Sequence, residues 1–197
     1  SQAATTTTIN TGGIEVPAPE GWTAIPVPDL GMGLAVPPGW EATLLSPEGL
    51  ATLAGASPAV PGFTDLAHAA ASDGGLVYAA GQDAAGGISD VVVRATPQAG
   101  VATAADLAYA AQLVAANAGT DPATVRMVDG AQYPTALVPF TVGGGAAGAE
   151  GSANATNVVV AGPGDVLWEV TITSDDVASH DQLVEAIRQT LTFSPGT

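Results

Sequence analysis

Two alternating segments near the C-terminus, joined by a short glycine-rich turn, constrain the fold of this chain more than any other feature. Residues 156–161 and 166–173 are rich in β-branched side chains and flank the turn Gly162-Pro163-Gly164-Asp165. In the second segment every other residue is apolar, so one face of a strand would carry Val166, Trp168, Val170 and Ile172. The pattern predicts a β-hairpin, and therefore an antiparallel sheet.

Strand and helix signals alternate along the rest of the chain. Runs of β-branched and apolar residues between turn signals predict strands at residues 32–36, 76–80, 88–95, 124–129 and 135–142. Capping residues before apolar residues at helical spacing predict helices from Ser46, at 64–71, at 104–118 and from Ser179. Six or seven strands in hairpin order, combined with these helices, predict an α+β fold in which an antiparallel β-sheet packs against α-helices.

The clearest helix signal is the one over residues 104–118. Thr103 and Asp106 have the spacing of a capping box, and Gly119 suits the C-terminal cap. The residues expected to form its buried stripe are Leu107, Ala111, Val114 and Ala118.

The N-terminal residues differ in composition from the rest. Residues 1–13 are small and polar, which predicts a flexible tail or an addition to a sheet edge, while residues 14–197 are predicted to form a single domain. Four prolines within residues 14–28 favour an edge or wrapping segment over a central strand. The Gly/Ala-rich residues 143–154 are expected to form a mobile loop. The start at Ser1, without methionine, indicates a processed N-terminus.

Charge excludes several classes of partner. The 197 residues include 19 acidic and three basic residues, with no lysine, for a formal net charge of −16. Nucleic acids and anionic membranes both need a basic patch, so neither is an expected partner. Every apolar stretch is too short or too interrupted to cross a bilayer, so the chain is predicted not to span a membrane. Without cysteine it forms no disulfide, thiolate nucleophile or zinc-thiolate site.

Catalytic and metal-binding patterns are weak. The two histidines, the usual general bases, are His68, expected to be partly buried in a short helix, and His180, expected to be exposed at a helix start. The trio Ser179-His180-Asp181 resembles a catalytic triad only in composition, because neighbouring helix residues point in different directions. Asp175 and Asp176 are explained by their position before a helix. No catalytic, cofactor-binding or metal-binding residue is therefore assigned, and no cofactor is expected.

The tryptophans divide into two groups. Trp40, after a Pro-Pro-Gly turn, and Trp168, in the alternating strand, are predicted to lie in the core. Trp22 follows a proline-rich segment and is the candidate binding residue, an aromatic surface for a carbohydrate or peptide.

One segment resembles a known family. The sequence Gly33-Leu34-Ala35-Val36-Pro37-Pro38-Gly39-Trp40 is similar to the opening of the PsbP/Mog1-like fold, which includes actinobacterial exported and cell-envelope lipoproteins of the LpqN type. The order of elements over residues 30–195 agrees, including a final helix that runs into Thr190-Leu191-Thr192-Phe193-Ser194, where members of the family end in a short strand. The resemblance implies a binding or accessory protein without a shared catalytic centre. Two features depart from the family: the helical segment at 46–71 is long, and the lipobox cysteine is missing.

These observations lead to an expected function and two alternatives. The first is a non-enzymatic exported module, secreted or attached to the cell envelope, that binds a protein or an envelope ligand; a lipid tether upstream of Ser1 is compatible with it. It would be a monomer or associate weakly with itself. The second is a structural, self-assembling surface component whose N-terminal segment adds a strand to a neighbour. The third and least favoured is a small hydrolase.

Overall fold

The computed structural model describes residues 6–11, 14–83, 86–97, 100, 101, 103–143 and 152–194. Its twelve strands in chain order are β1 (Thr6–Thr11), β2 (Ile14–Pro19), β3 (Thr23–Val27), β4 (Met32–Val36), β5 (Glu41–Leu44), β6 (Val77–Gln82), β7 (Ile88–Pro97), β8 (Arg126–Met127), β9 (Thr135–Gly143), β10 (Ser152–Gly162), β11 (Val166–Ser174) and β12 (Thr192–Phe193). The four α-helices are α1 (Pro47–Ala54), α2 (Phe63–Ser72), α3 (Ala104–Asn117) and α4 (His180–Thr190). Short 3-10 turns lie at Pro28–Leu30 and Pro122–Thr124.

The largest sheet has seven strands in the order β5-β6-β7-β11-β10-β9-β8, and all of its pairings are antiparallel. It consists of two meanders, β5 to β7 and β8 to β11, that meet where β7 pairs with β11. The hairpin predicted from the sequence is β10 and β11, with Val158 opposite Val170. The predicted α+β class, an antiparallel sheet packed against helices, is confirmed.

One face of this sheet is covered by α1, α2 and α3. Around α1 and α2 the buried residues include Leu53, Phe63, Ala67, Tyr78 and Ala80. Around α3 they form a second cluster: Leu107, Ala110, Ala111, Ala115, Ala136, Val138, Val159, Ala161 and Leu167. Because residues paired across strands point to the same face, both clusters lie on one side of the sheet.

Contacts divide the chain into two compact units, Glu41–His180 and Ser1–Trp40 with Asp181–Thr197. The first contains the seven-stranded sheet. The second contains the three-stranded sheet β12-β4-β3 and the pair β1-β2. In it, the Thr190 hydroxyl at the end of α4 accepts a 2.9 Å hydrogen bond from the Ala35 N–H of β4. The single domain expected over residues 14–197 stays a prediction.

The N-terminal residues differ from the flexible tail that the sequence predicted for 1–13. Thr6–Thr11 forms strand β1, which pairs antiparallel with β2, Ile9 standing opposite Val16. Threonine favours extended backbone, and the edge of β2 provides backbone partners. The segment therefore adds to a sheet edge, which was the alternative prediction for these residues. Residues 1–5, 12 and 13 lie outside the described residues.

Several predicted elements need correction in detail. The strand expected at 124–129 is reduced to Arg126–Met127, because Asp121 caps a 3-10 turn immediately before it. The capping box of α3 is confirmed, with the Asp106 N–H donating to the Thr103 hydroxyl at 3.2 Å. Its buried stripe, however, is Leu107, Ala110, Ala111 and Ala115. Of the predicted loop at 143–154, residues 144–151 lie outside the described residues, and 152–154 belong to β10.

None of the described helices is both long and apolar enough to cross a membrane.

Candidate functional site

The candidate site is an open groove of about 660 Å³ along the outer edge of β5. β5 is the last strand at one end of the seven-stranded sheet, and no described strand pairs with its outer edge. Helix α1 and the segment that connects α1 to α2 form the opposite wall. The groove is lined by Glu41, Ala42, Thr43, Leu44, Ser46, Glu48, Gly49, Thr52, Leu53, Ala56, Ser57, Pro58 and Phe63.

The local sequence places helix α1 directly beside the strand. Ser46 caps the helix by accepting a hydrogen bond from the Gly49 N–H at 3.2 Å, and Pro47 occupies the first turn. Only Leu45 and Ser46 separate β5 from α1. The helix therefore begins at the end of the strand and forms a wall for the groove.

Gly49 permits the closest approach between α1 and β5. A Cβ atom at this position would lie 2.0 Å from the carbonyl oxygen of Leu44, which belongs to the backbone and has no rotamer with which to avoid it. The wall of the groove thus depends on the absence of a side chain at one residue.

We expect Gly49→Ala to lower the free energy of unfolding by about 1 to 3 kcal/mol, because the first turn of α1 must move away from β5. The matched control is Gly55→Ala at the other end of the helix. There the nearest atom is 3.8 Å from the added Cβ and φ is −97°, so alanine fits and the change should be neutral or slightly stabilising. Denaturant titrations measure both variants. Equal stabilities would show that the contact at Gly49 relaxes without cost.

The backbone of β5 is available for pairing. The Leu45 N–H donates to the Leu76 carbonyl at 2.9 Å, so residue 45 points towards β6. Because successive residues of a strand point their backbone groups in opposite directions, Ala42 and Leu44 direct theirs to the outer edge. Ala42 is exposed, and the Leu44 side chain is 38% exposed. The edge therefore presents the N–H and C=O groups of Ala42 and the N–H of Leu44 to an incoming strand, while the Leu44 carbonyl faces Gly49 and accepts a hydrogen bond from the Thr43 hydroxyl at 3.1 Å.

The far wall of the groove is held in place by a carboxylate. Glu41 accepts hydrogen bonds from the N–H groups of Ala59 at 2.7 Å and Val60 at 3.0 Å. These bonds attach the segment between α1 and α2 to β5. Phe63 is buried and packs against Tyr78 with ring centroids 5.1 Å apart, which fixes the apolar end of the groove.

The charge of the groove is negative. Glu41 and the exposed Glu48 line it, and the described lining contains no arginine and no histidine. The three basic residues of the whole chain are Arg94, Arg126 and Arg188.

A second polar feature lies on the helix-covered face of the sheet, outside the groove lining. Asp90 of β7 accepts a 3.4 Å hydrogen bond from the buried Tyr78 hydroxyl. Burial raises the pKa of Asp90 to about 6; hydrogen bonds from Thr173 and Tyr78 oppose the increase, and the nearby Asp175 charge adds to it. Burial, followed by the Asp90 charge, raises the pKa of Tyr78, so the phenol stays neutral and donates.

The same face carries a cation and an acid on paired residues. Arg94 of β7 stands opposite Glu169 of β11, and its Nε donates to the Asp73 carbonyl at the end of α2 at 3.2 Å. Burial raises the pKa of Glu169, and the Arg94 charge opposes that change. Among the residues the structure describes, no group of three or more His, Cys, Asp or Glu is arranged to hold a metal ion.

Sequence reasoning missed Asp90 and overlooked the groove. The signal for Asp90 was an acid within the β-branched run that begins at Ile88, where a buried strand would place it under helices. No comparable signal existed for the groove, because the position of β5 at the end of the sheet depends on long-range pairing.

The candidate binding residue Trp22 lies elsewhere. It is partly buried and packs against the cluster of Ile14, Val16, Ala18 and Ala35. Its backbone N–H donates to the Pro19 carbonyl at 3.0 Å. It does not line the groove at β5. Its role in binding stays a prediction.

Both histidine expectations are wrong. His68 is exposed rather than partly buried. His180 is 3% exposed, and its Nε2 shares a 3.0 Å hydrogen bond with the Thr156 hydroxyl of β10. The reason is that Asp176 makes the turn before α4, accepting from the Ala178 N–H and the Ser179 hydroxyl, and this directs His180 towards the sheet. Both partners are buried, and neither lines the groove at β5.

Of the two tryptophans predicted in the core, only Trp168 is fully buried, at 3% exposed. Trp40 is only partly buried, which corrects its expected role as a core plug. It lies beyond Val36, the last residue of β4 that pairs with β3, and its backbone N–H donates to the Pro37 carbonyl at 3.3 Å. The turn therefore ends the strand without inserting the indole into the core.

The molecule is an α+β protein with an antiparallel sheet and a groove at the edge of that sheet. Its similarities to known proteins are similarities of fold. The sequence matches no protein-family model and no curated protein. The structure is similar to the solution structure of cyanobacterial PsbP from Synechocystis sp. PCC 6803, with 12% identity and a TM-score of 0.47, covering 88% of this chain and 93% of that one.

A crystal structure from Bacteroides thetaiotaomicron VPI-5482 is also similar, with 10% identity and a TM-score of 0.47. The match covers 88% of this chain and 49% of that chain, so this chain spans about half its length. The resemblance to LpqN-type lipoproteins drawn from the sequence stays a prediction. No site residue or activity is carried from these proteins to this chain.

Proposed function

We propose that this chain is a non-catalytic binding module that takes an extended peptide segment of a partner protein into the groove beside β5. The observation that carries the proposal is a strand edge that pairs with no other described strand and lies in a helix-walled groove. An extended peptide can add a strand to such an edge, where main-chain hydrogen bonds supply affinity and alternate side chains supply specificity.

The groove distinguishes the two faces of an added strand. Side chains on the same face as Glu41 and Thr43 would meet α1, since residues of α1 and β6 share one core cluster on that face. Side chains on the other face would lie beside Ala42 and Leu44, which are exposed. Selectivity would therefore come mainly from the residues that face α1.

The wider proposal is that this binding takes place outside the cytoplasm, at a cell envelope of the actinobacterial type, in a secreted or lipid-tethered protein. The support is the Pro37-Pro38-Gly39-Trp40 turn after an apolar strand, which resembles exported members of the LpqN type. Fractionation of cells that produce the full-length gene product with a C-terminal tag tests this. Recovery in the cytosol alone would contradict it.

The self-assembling alternative requires β1 to add to a neighbour through the edge that is not used in its pairing with β2 of the same chain. Size-exclusion mass measured over a range of concentrations would separate this alternative from a monomeric binding module.

The proposed function is tested by removing one backbone donor. Ala42→Pro deletes an N–H that points to the outer edge, so pairing with β6 is retained while an incoming strand loses a partner. Octapeptides selected on the wild-type protein from a random displayed library should bind the proline variant at least tenfold more weakly by fluorescence polarisation.

Ala42→Val is the matched control, because valine keeps the N–H and favours extended backbone. It should retain binding within about threefold. Thermal unfolding of both variants shows whether the fold is intact. A library that yields no binders, or binders that are indifferent to Ala42→Pro in a folded protein, would disprove strand addition at β5.

A further inference from the structure

We infer that the peptide taken up beside β5 is basic, with a lysine or arginine that lies against Glu48 and an apolar residue on the same face of the strand. This inference rests on the proposed function and adds the chemical class of the ligand. It follows from the charges and the apolar surfaces of the groove, taken in the order in which a strand would meet them.

Glu48 is the acid available to a ligand. It is exposed, lies in the first turn of α1 and lines the groove, and no hydrogen bond of its carboxylate occurs within the described part of the chain. Glu41 differs because its carboxylate oxygens already hold the Ala59 and Val60 N–H groups. A cation beside Glu48 can therefore pair with a carboxylate that is not holding the fold together.

The surroundings favour a cation over an anion. A second carboxylate, Glu41, lines the same groove, no basic residue occurs in the described lining, and the chain carries a net charge of −16. An acidic peptide would meet repulsion from both acids and from the long-range field. A basic peptide would be attracted, and its association would slow as salt screens the field.

The spacing of the two ligand residues follows from strand geometry. Leu53 and Phe63 provide the apolar end of the groove on the side of α1, where Glu48 also lies. Side chains two residues apart on an extended peptide point to the same face. A basic residue and an apolar residue that both face α1 are therefore separated by an odd number of residues, in either strand direction.

The test is a charge reversal measured on the octapeptides that lose binding in Ala42→Pro. Glu48→Lys should weaken a basic peptide about threefold to tenfold at low salt and by less than about twofold at 0.5 M salt. Exchanging the peptide's basic residue for glutamate should reverse the preference, so that the acidic peptide binds Glu48→Lys better than the wild-type protein. Glu48→Gln should give an intermediate loss and avoids placing a cation at a helix N-terminus.

Glu20→Lys is the matched control, because it changes the net charge by the same amount at an exposed residue outside the groove lining. It should leave affinity within about twofold. Selected peptides that require the Ala42 N–H but are neutral or acidic would overturn the inference and leave strand addition intact. Equal losses from Glu20→Lys and Glu48→Lys would also overturn it, because the effect would then be one of net charge. Peptides indifferent to Ala42→Pro would overturn the proposed function itself.

Discussion

Replacing Trp168 by alanine should lower the free energy of unfolding by about 3 to 5 kcal/mol, the range for truncating a fully buried aromatic side chain. Trp168 is the third residue of the hairpin strand β11, is 3% exposed, and is flanked across the strands by Ala95 and Val160. A Cβ atom added to Gly162 would lie 2.6 Å from its indole ring, so the neighbouring strand is shaped around it. Truncation would leave a cavity that β-strand backbone cannot close.

Trp40→Ala is the matched control, since it removes the same side chain from a partly buried site at the end of β4. It should cost less than half as much. The free energy of unfolding of both variants is measured by chemical denaturation followed by circular dichroism. Absorbance and fluorescence are less suitable because they differ between the variants. A loss below about 1 kcal/mol for Trp168→Ala, or a larger loss for Trp40→Ala, would contradict the assignment of Trp168 as the buried indole.

Asp90→Asn should stabilise the protein by up to about 3 kcal/mol above pH 6 and have little effect near pH 3.5. The folded-state pKa of Asp90 is raised from 3.8 to about 6, so its ionised form is disfavoured in the folded protein. The stability contributed by the protonated group is complete below the unfolded pKa and is lost as pH rises through about 6. The difference between the two pKa values corresponds to about 3 kcal/mol of unfolding free energy, and an amide at this position avoids that loss of stability.

The measurement is the free energy of unfolding of both proteins between pH 3.5 and pH 8. The difference between variant and wild type should grow from near zero to its full size across the range from about pH 4 to pH 6. Asp129→Asn, at an exposed turn residue, serves as the control and should give a difference that is small throughout. A difference for Asp90→Asn that is independent of pH would show that burial does not disfavour its charge.

Local patterns predicted most elements correctly because their causes are local. The Thr103–Asp106 capping box starts α3, Ser46 and Pro47 start α1, and the alternation on either side of residues 162–165 produces the β10–β11 hairpin. The candidate site was not predictable in the same way. Its residues are ordinary in sequence, and what makes them a groove is that β5 stands at the end of the sheet order.

Side-chain environments were predicted less well than elements. His180 seemed to belong to an exposed helix start, but a turn made by Asp176 directs it to Thr156 of a strand more than twenty residues away. Asp90 reads as one acid in a strand. Burial in the folded protein raises its pKa and the Asp175 charge adds to the increase, while hydrogen bonds from Thr173 and Tyr78 oppose it. Each depends on residues distant in sequence.

By itself, then, the sequence determined the α+β class, the antiparallel hairpin, the helix starts and the acidic, cysteine-free character of the chain, since all of these follow from composition or from neighbours within a few residues. Only the tertiary structure decided that β7 pairs with β11, that no described strand pairs with the outer edge of β5, and that Trp168 rather than Trp40 fills the core. The physical reason is that strand order and burial are set by contacts between segments far apart in the chain, for which the local pattern of each segment allows many partners.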